Sequence, residues 1–265
     1  MISVRYKDAV RLSVTVLCLF AFIHISCTPQ TPKSGNVSPA AESSTVRVTA
    51  ADIAANIHWY GNAAIKITDG EKILFFDPFK LSFRLGADIV FISHPHFDHL
   101  SAPDLKKVAT AGTVFVTPRD RTCINTIKKL FGREPITLQP GEQKYIKGIK
   151  VEAVPAYNIK THQGHPKAMG WLGYIVTLDG IRVYHAGDTE RIPEMKSFHC
   201  DIALLPLGQT YTMNSVAEAA QCALDVGAGI AIPMHYGSYE GTKQDAFRFK
   251  ELLAGKLEVI IKEKE

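Results

Sequence analysis

Apolar residues in this chain fall into short runs separated by turn-forming residues, and their spacing predicts a succession of strands with helices set between them. Ile57–Tyr60, Ala64–Ile67, Lys72–Phe76 and Asp88–Ser93 read as strands. Gly61-Asn62 and Asp69-Gly70 supply turn chemistry between the first three, so the sheet is expected to start antiparallel. Ser101-Ala102-Pro103-Asp104 has the pattern of a capping box with proline in the first turn, and predicts a helix to about Ala109. A strand over Val114–Thr117 and a helix opened by Pro118 and running to about Phe131 come next. Gln143–Val154 alternates as two short strands turning at Lys147-Gly148, and Gly173–Leu178 and Ile181–His185 flank Asp179-Gly180, the strongest hairpin signal in the chain.

In the last third, Ile202–Pro206 and Ile230–Pro233 are continuous apolar runs, as strands buried on both faces require. Ser215 caps a predicted helix whose residues Val216, Ala219, Ala220, Ala223 and Leu224 form an apolar face. A helix over Asp245–Leu253 and a closing strand over Leu257–Ile261 complete the order. Such an alternation predicts one α/β domain in which two sheets lie between helices.

The N-terminus does not share this pattern. Arg5, Lys7 and Arg11 precede the apolar run Leu12–Ile25, which is shorter than the ~20 residues of a membrane-spanning helix and reads as a secretory signal. Ile25-Ser26-Cys27 resembles the end of a bacterial lipoprotein signal, with Cys27 as the lipidated first residue of the mature chain. His24 stands where an aliphatic residue is usual, so ordinary cleavage or an uncleaved anchor are the alternatives. On this reading residues 1–26 are a signal, and 27–50, rich in Thr, Pro, Ser, Gly and Ala, are a disordered tether. Residues 51–265 are the domain, with its first structured run near Ile53. The expected location is the bacterial cell envelope, lipid-anchored through Cys27, or otherwise the periplasm or the exterior.

Composition narrows the function classes. Hydrophobic residues at 46% and charged residues at 21% exclude a disordered or multi-span membrane chain. The net charge is +4, of which the signal contributes half through Arg5, Lys7, Asp8 and Arg11, so no nucleic-acid partner is expected. Cysteines form no CxxC pair, and Cys123, Cys200 and Cys222 are expected to be buried inert thiols. Walker A, GxGxxG and GxSxG elements are absent from the sequence.

The chemistry is concentrated in His94-Pro95-His96-Phe97-Asp98-His99. In an extended segment positions i and i+2 project to one side, so His94 and His96 can share a cation, while Asp98 and His99 follow after a bend. The run begins where the apolar strand Asp88–Ser93 ends, the place from which strands deliver functional side chains into loops.

These residues resemble the HxHxDH signature of the metallo-β-lactamase-fold hydrolases. Ile57-His58-Trp59-Tyr60-Gly61-Asn62-Ala63 is similar to that family's first strand and turn, Phe75-Phe76-Asp77-Pro78-Phe79 to its strand ending in Asp-Pro, Ala186-Gly187-Asp188-Thr189 to its Gly-Asp element, and Pro233-Met234-His235-Tyr236 to the strand carrying its last histidine. The blocks cover residues 53 to 261. The resemblance implies a four-layer αββα sandwich, of the single-domain lactonase-like and phospholipase-like branch. It assigns His94 and His96 to one metal, Asp98, His99 and His235 to a second, and Asp188 to both. The family's third histidine for the first metal is missing where Val154-Pro155-Ala156-Tyr157-Asn158 stands. Asn158 replaces it, and an amide is a poor zinc ligand, so the first site is expected to be weakened, filled by water, or completed by His162 or, in preference, His165. Asn62 likewise stands where relatives often carry histidine.

The implied cofactor is zinc, one or two ions, with another divalent metal as the alternative. Held by imidazole and carboxylate, zinc lowers the pKa of bound water from ~15.7 to about 7. The expected activity is hydrolysis of a small-molecule ester, lactone or phosphodiester, with Asp98 as the catalytic residue that orients the nucleophile or shuttles its proton. Two other readings stay open: an iron site for oxygen chemistry, and an envelope-anchored metal-binding protein with little or no catalysis, motivated by Asn158 and by the lipoprotein-like start. Tyr157, Trp171, Tyr211 and Tyr236 are candidate pocket walls, and Tyr236, next to His235, is also a candidate ligand or substrate contact. His58, His185 and His199 are expected to be structural.

Overall fold

The computed structural model describes residues 47–160 and 164–265. The signal, Cys27, nearly all of the tether and His162 lie outside the described residues. The first element, α1 (Ala50–Ala55), starts just before the expected domain boundary. Its cap explains why: Thr49 accepts from the Asp52 N–H, and the Asp52 carboxylate accepts from Thr49 in return.

Six strands make the first sheet: β1 (Ile57–Trp59), β2 (Ile65–Asp69), β3 (Lys72–Phe76), β4 (Ile89–Phe91), β5 (Val114–Pro118) and β6 (Ile136–Leu138), adjacent in that order. The first three pair antiparallel, as the turn residues require, and β3 through β6 run parallel. The crossovers are α2 (Ala102–Val108), between β4 and β5, and α3 (Arg121–Phe131), between β5 and β6. The second sheet is an antiparallel meander of β7 (Gln143–Ile146), β8 (Ile149–Pro155), β9 (Leu172–Leu178) and β10 (Ile181–His185), extended in parallel by β11 (Ile202–Pro206), β12 (Ile230–Met234) and β13 (Glu258–Val259). Here the crossovers are α4 (Val216–Asp225) and α5 (Lys243–Leu253).

Alternation along the first sheet creates the layers. Leu74, Phe76, Ile89, Phe91 and Val116 join the core shared with the second sheet, whereas Phe75, Val90, Ile92 and Phe115 join Leu105, Val108, Cys123 and Ile127 of α2 and α3. The four-layer αββα sandwich is therefore built as expected, with helices outside both sheets. Truncating one buried phenylalanine such as Phe76 would cost ~3–5 kcal/mol. That is a large part of the ~5–15 kcal/mol holding a whole domain, so the strands under the site form a rigid platform.

Local differences have local causes. Pro118 ends β5 instead of opening the helix, since a proline without an N–H is tolerated at a strand end, and α3 begins after Asp120, which accepts from the Thr122 and Cys123 N–H groups. Ser101 stands at the N-cap of α2, but its side chain makes no capping hydrogen bond. Its hydroxyl donates to Asp104, whose carboxylate also accepts from the Lys80 and Leu81 N–H groups. The hairpins at Lys147-Gly148 and Asp179-Gly180 form as expected, with positive φ at all four residues, as a type I′ turn demands. Tyr174 of β9 donates its hydroxyl proton to Ile92 O at 2.8 Å, fastening the second sheet to the end of β4, where the histidine-rich segment starts.

Candidate metal centre

Strand ends deliver the polar residues. After β4, the His99 and Leu100 N–H groups both donate to His96 O, at 3.0 and 2.8 Å, and this turn folds Asp98 and His99 back toward His94. Beyond β10, Gly187 has a φ of 63°, and a Cβ there would lie 2.9 Å from Leu172 O and 3.0 Å from Ser93 Cβ. Only glycine lets the Asp188 turn seat against Ser93. Beyond β12, His235 itself adopts a left-handed φ of 57°, rare for a side-chain-bearing residue, and its N–H donates to Asn62 O at 2.8 Å.

The side chains converge. His94 Nε2 lies 3.0 Å from His96 Nδ1 and 3.3 Å from His165 Nε2. Asp188 Oδ2 lies 3.8 Å from His94 Nε2, 3.5 Å from His165 Nε2 and 3.3 Å from His99 Nε2, while its Oδ1 is 3.2 Å from His235 Nε2. Asp98 Oδ2 is 3.7 Å from His99 Nε2 and 3.9 Å from His235 Nε2. Three groups thus have ligand atoms within 4.8 Å of one another: His94, His96 and His165; His94, His99 and Asp188; and Asp98, His99 and His235.

Residues behind these groups aim them. Asp77 Oδ2 lies 2.8 Å from His99 Nδ1 and accepts from the Ser93 hydroxyl at 2.6 Å, and Ser93 Oγ is 2.9 Å from His94 Nδ1. Asn62 Nδ2 donates to Asp98 Oδ2 at 3.0 Å. The Trp171 ring packs against His94, His96 and His165 with centroids 5.1, 5.0 and 5.5 Å apart. Burial pushes His94 and His96 below the ordinary imidazole pKa, and neighbouring imidazoles add to the effect. Burial also opposes charge on His99 and His235, but Asp188 and Asp77 at the first ring, and Asp188 and Glu240 at the second, outweigh it and raise both. Burial opposes ionisation of Asp188 as well, yet His235 and His99 hold its carboxyl well below the usual range.

The structure brings His94, His96, Asp98, His99, Asp188 and His235 together, and adds His165. Asn158 is tied into the loop. Its N–H donates to His165 O at 2.8 Å and its Nδ2 to Tyr211 O at 2.7 Å, so it shapes the loop that carries His165. Tyr236 points elsewhere than its neighbour: its ring stacks on Trp59 at 4.7 Å and lines a different cavity, next to the left-handed turn at His235. Tyr157 donates to Glu194, away from the cluster. His185 is structural, 2.9 Å from Ala63 O and stacked on Phe76. Sequence reasoning gave no role to Asp77 or Glu240 and did not find Phe97 or Tyr239. The signal that marked His94, the carboxyl end of a buried parallel strand, applies equally to Asp77 after β3.

A cavity of about 310 Å³ opens over the cluster. His96, Asp98, His165, Asp188 and His235 line its polar part, and Phe97, Tyr211 and Tyr239, all substantially exposed, form its aromatic rim. Buried His99 Nε2, His235 Nε2 and Asp188 Oδ1 have no aligned hydrogen-bond partner among the described residues. Buried polar atoms are rarely left so, and imidazole and carboxylate donors aimed at one another are what a divalent ion requires. The residues fit a metal.

Comparison with known proteins agrees with this geometry. The family described as Beta-lactamase superfamily domain matches residues 56–235. The chain is 34% identical over 206 residues to a UPF0173 metal-dependent hydrolase of Methanoregula boonei, covering 74% of this chain and 88% of that one. It is 32% identical over 211 residues to the UPF0173 metal-dependent hydrolase of Thermoplasma volcanium, covering 75% and 91%. A crystal structure of a protein from Parabacteroides distasonis, described as a metal-dependent hydrolase, matches with a TM-score of 0.68 and 35% identity over 79% of this chain and 93% of that one.

Proposed function

The chain belongs to the metal-dependent hydrolases of the metallo-β-lactamase superfamily, and on that premise we propose that it is a zinc enzyme cleaving neutral carboxylic esters or lactones that carry an apolar or aromatic group. The observation that carries this reading is the lining of the cavity. Its rim is aromatic, its floor holds Asp98 and Asp188, and no lysine or arginine lines it among the described residues. With the carboxylates engaged by metal, a phosphodiester's charge would be met by the ions alone, with no lining guanidinium or ammonium among the described residues to grip its oxygens. A neutral ester needs no such grip, and Phe97, Tyr211 and Tyr239 offer apolar surface to its substituent.

His94, His96 and His165 would hold one ion, Asp98, His99 and His235 a second, and Asp188 both. A bound ion supplies Lewis-acid polarisation of the carbonyl and a lowered pKa for its water. Asp98, oriented by Asn62, takes the proton of the attacking water and hands it to the leaving alcohol. Five imidazoles with two carboxylates suit zinc, and suit iron as well, so elemental analysis belongs to the test. The weakly catalytic alternative rests on Asn158 and on the lipoprotein-like start, and His165 beside His94 weighs against the first of these.

The test is elemental analysis of the purified domain followed by turnover of an aryl ester, a γ-lactone and bis(p-nitrophenyl) phosphate. Zinc with ester or lactone cleavage is the expected result. Faster turnover of the phosphodiester would overturn the substrate class, and iron in the protein as purified would overturn the metal. The N-terminal pattern supports export with lipid on Cys27, which labelling of the wild-type chain and Cys27→Ala with an alkynyl fatty acid would test.

A further inference from the structure

Glu240 has no place in the ligand set, yet it is only 7% exposed and surrounded by polar contacts. Its Oε2 accepts from the Thr210 N–H at 3.0 Å and the Tyr211 N–H at 2.6 Å, and its Oε1 from the Thr212 hydroxyl at 3.0 Å. Oε1 also lies 2.9 Å from His235 Nδ1, at ion-pair distance although off the axis of a linear hydrogen bond. One carboxylate therefore touches both a proposed metal ligand and the backbone of Tyr211, part of the cavity rim.

Space has been left for it. Gly208 lies directly under the carboxylate, and a Cβ there would overlap Glu240 Cδ and both oxygens. Gly241, with a φ of 63°, brings the following turn so close that a Cβ would lie 2.6 Å from Leu207 O. Two glycines thus press the 236–241 turn, which carries Tyr239, onto the 207–212 segment, which carries Tyr211. The Glu240 carboxylate fills the seam.

We infer that Glu240 is a positioning residue that sets the His235 tautomer and the aromatic rim together, so that metal affinity and the fit of the substrate's apolar group depend on the same side chain. A carboxylate beside Nδ1 favours the proton on that nitrogen, which leaves the Nε2 lone pair facing Asp98 and Asp188. The same carboxylate, accepting three donors from residues 210–212, holds the Tyr211 wall at a fixed height. The inference rests on the metal-hydrolase reading for its first half and on the ester reading only for its second.

Three variants separate the parts. Glu240→Gln keeps an oxygen for the Thr210 and Tyr211 N–H groups but turns an NH2 toward His235, which favours the wrong tautomer. It should weaken zinc or cobalt binding roughly 10- to 100-fold in chelator competition and shift the cobalt(II) visible spectrum, with KM for an aryl ester unchanged at saturating metal. Glu240→Ala removes both functions and should raise KM as well. Gly208→Ala retains Glu240 but displaces its carboxylate, and should reproduce the weakened metal binding. Thermal unfolding of the metal-free proteins shows whether each variant is folded. Wild-type metal affinity and an unchanged cobalt spectrum in folded Glu240→Gln would overturn the inference. The titration uses no substrate, so failure of the protein to cleave esters would sink the substrate class and leave this test intact.

Discussion

His94, His96 and His165 meet with imidazoles around them and the Trp171 indole packed against all three, whereas Asp98, His99 and His235 meet with a carboxylate behind each ring, Asp77 behind His99 and Glu240 behind His235. The first group includes the half-buried His96, while all of the second is buried. An indole excludes water and fixes ring planes. A carboxylate additionally fixes the tautomer and strengthens the donor. Two groups built from similar ligands therefore need not bind equally, and the Asp98, His99 and His235 group is expected to take the first ion.

Asp188→Ala should have the largest effect, since its carboxylate reaches both groups. Metal content should fall at both, and turnover should drop by more than the ~10–100-fold that loss of an outer partner costs. Elemental analysis showing two retained ions would erase the part given to Asp188. Asp98→Ala should lower turnover by ~10²–10⁴-fold while leaving the melting curve nearly unchanged, and a wild-type rate would remove Asp98 from the mechanism.

Asp77→Asn should weaken the tighter ion by ~10–100-fold in competition with a chelator. His165→Ala should instead remove only the weaker ion, visible as a loss of one equivalent in a stepwise metal titration. If His165→Ala abolished the tighter step, the ranking of the two groups would be reversed. Asn158→Ala should have the smallest effect. It removes one hydrogen bond to Tyr211 O, worth ~0.5–1.5 kcal/mol, and should leave metal stoichiometry unchanged.

The sequence pattern was most legible where the determinants are local. Four ligand-type residues lie within His94–His99, at the end of an apolar strand, so both their chemistry and their position could be read directly. The hairpins at Lys147-Gly148 and Asp179-Gly180 were equally local, because a type I′ turn is specified by its two central residues. The third histidine of the first group was harder to identify. Asn158 occupies the expected stretch, but its N–H donates to His165 O and His165 lies beside His94, a pairing that periodicity does not encode. Tyr236 shows the opposite case. Next to His235 in sequence, it points elsewhere, beside one left-handed backbone angle.

The alternation of strands and helices, the two-sheet sandwich and the clustering of metal-binding chemistry after β4 are all legible along the chain, because each is written in short-range patterns of polarity and turn residues. What folding alone added is that His165 lies beside His94, that Asp77 and Glu240 stand behind the ligand rings, and that Phe97, Tyr211 and Tyr239 share one rim. Those pairings join residues far apart in the chain, and they depend on how strand ends and glycine-permitted turns pack in three dimensions.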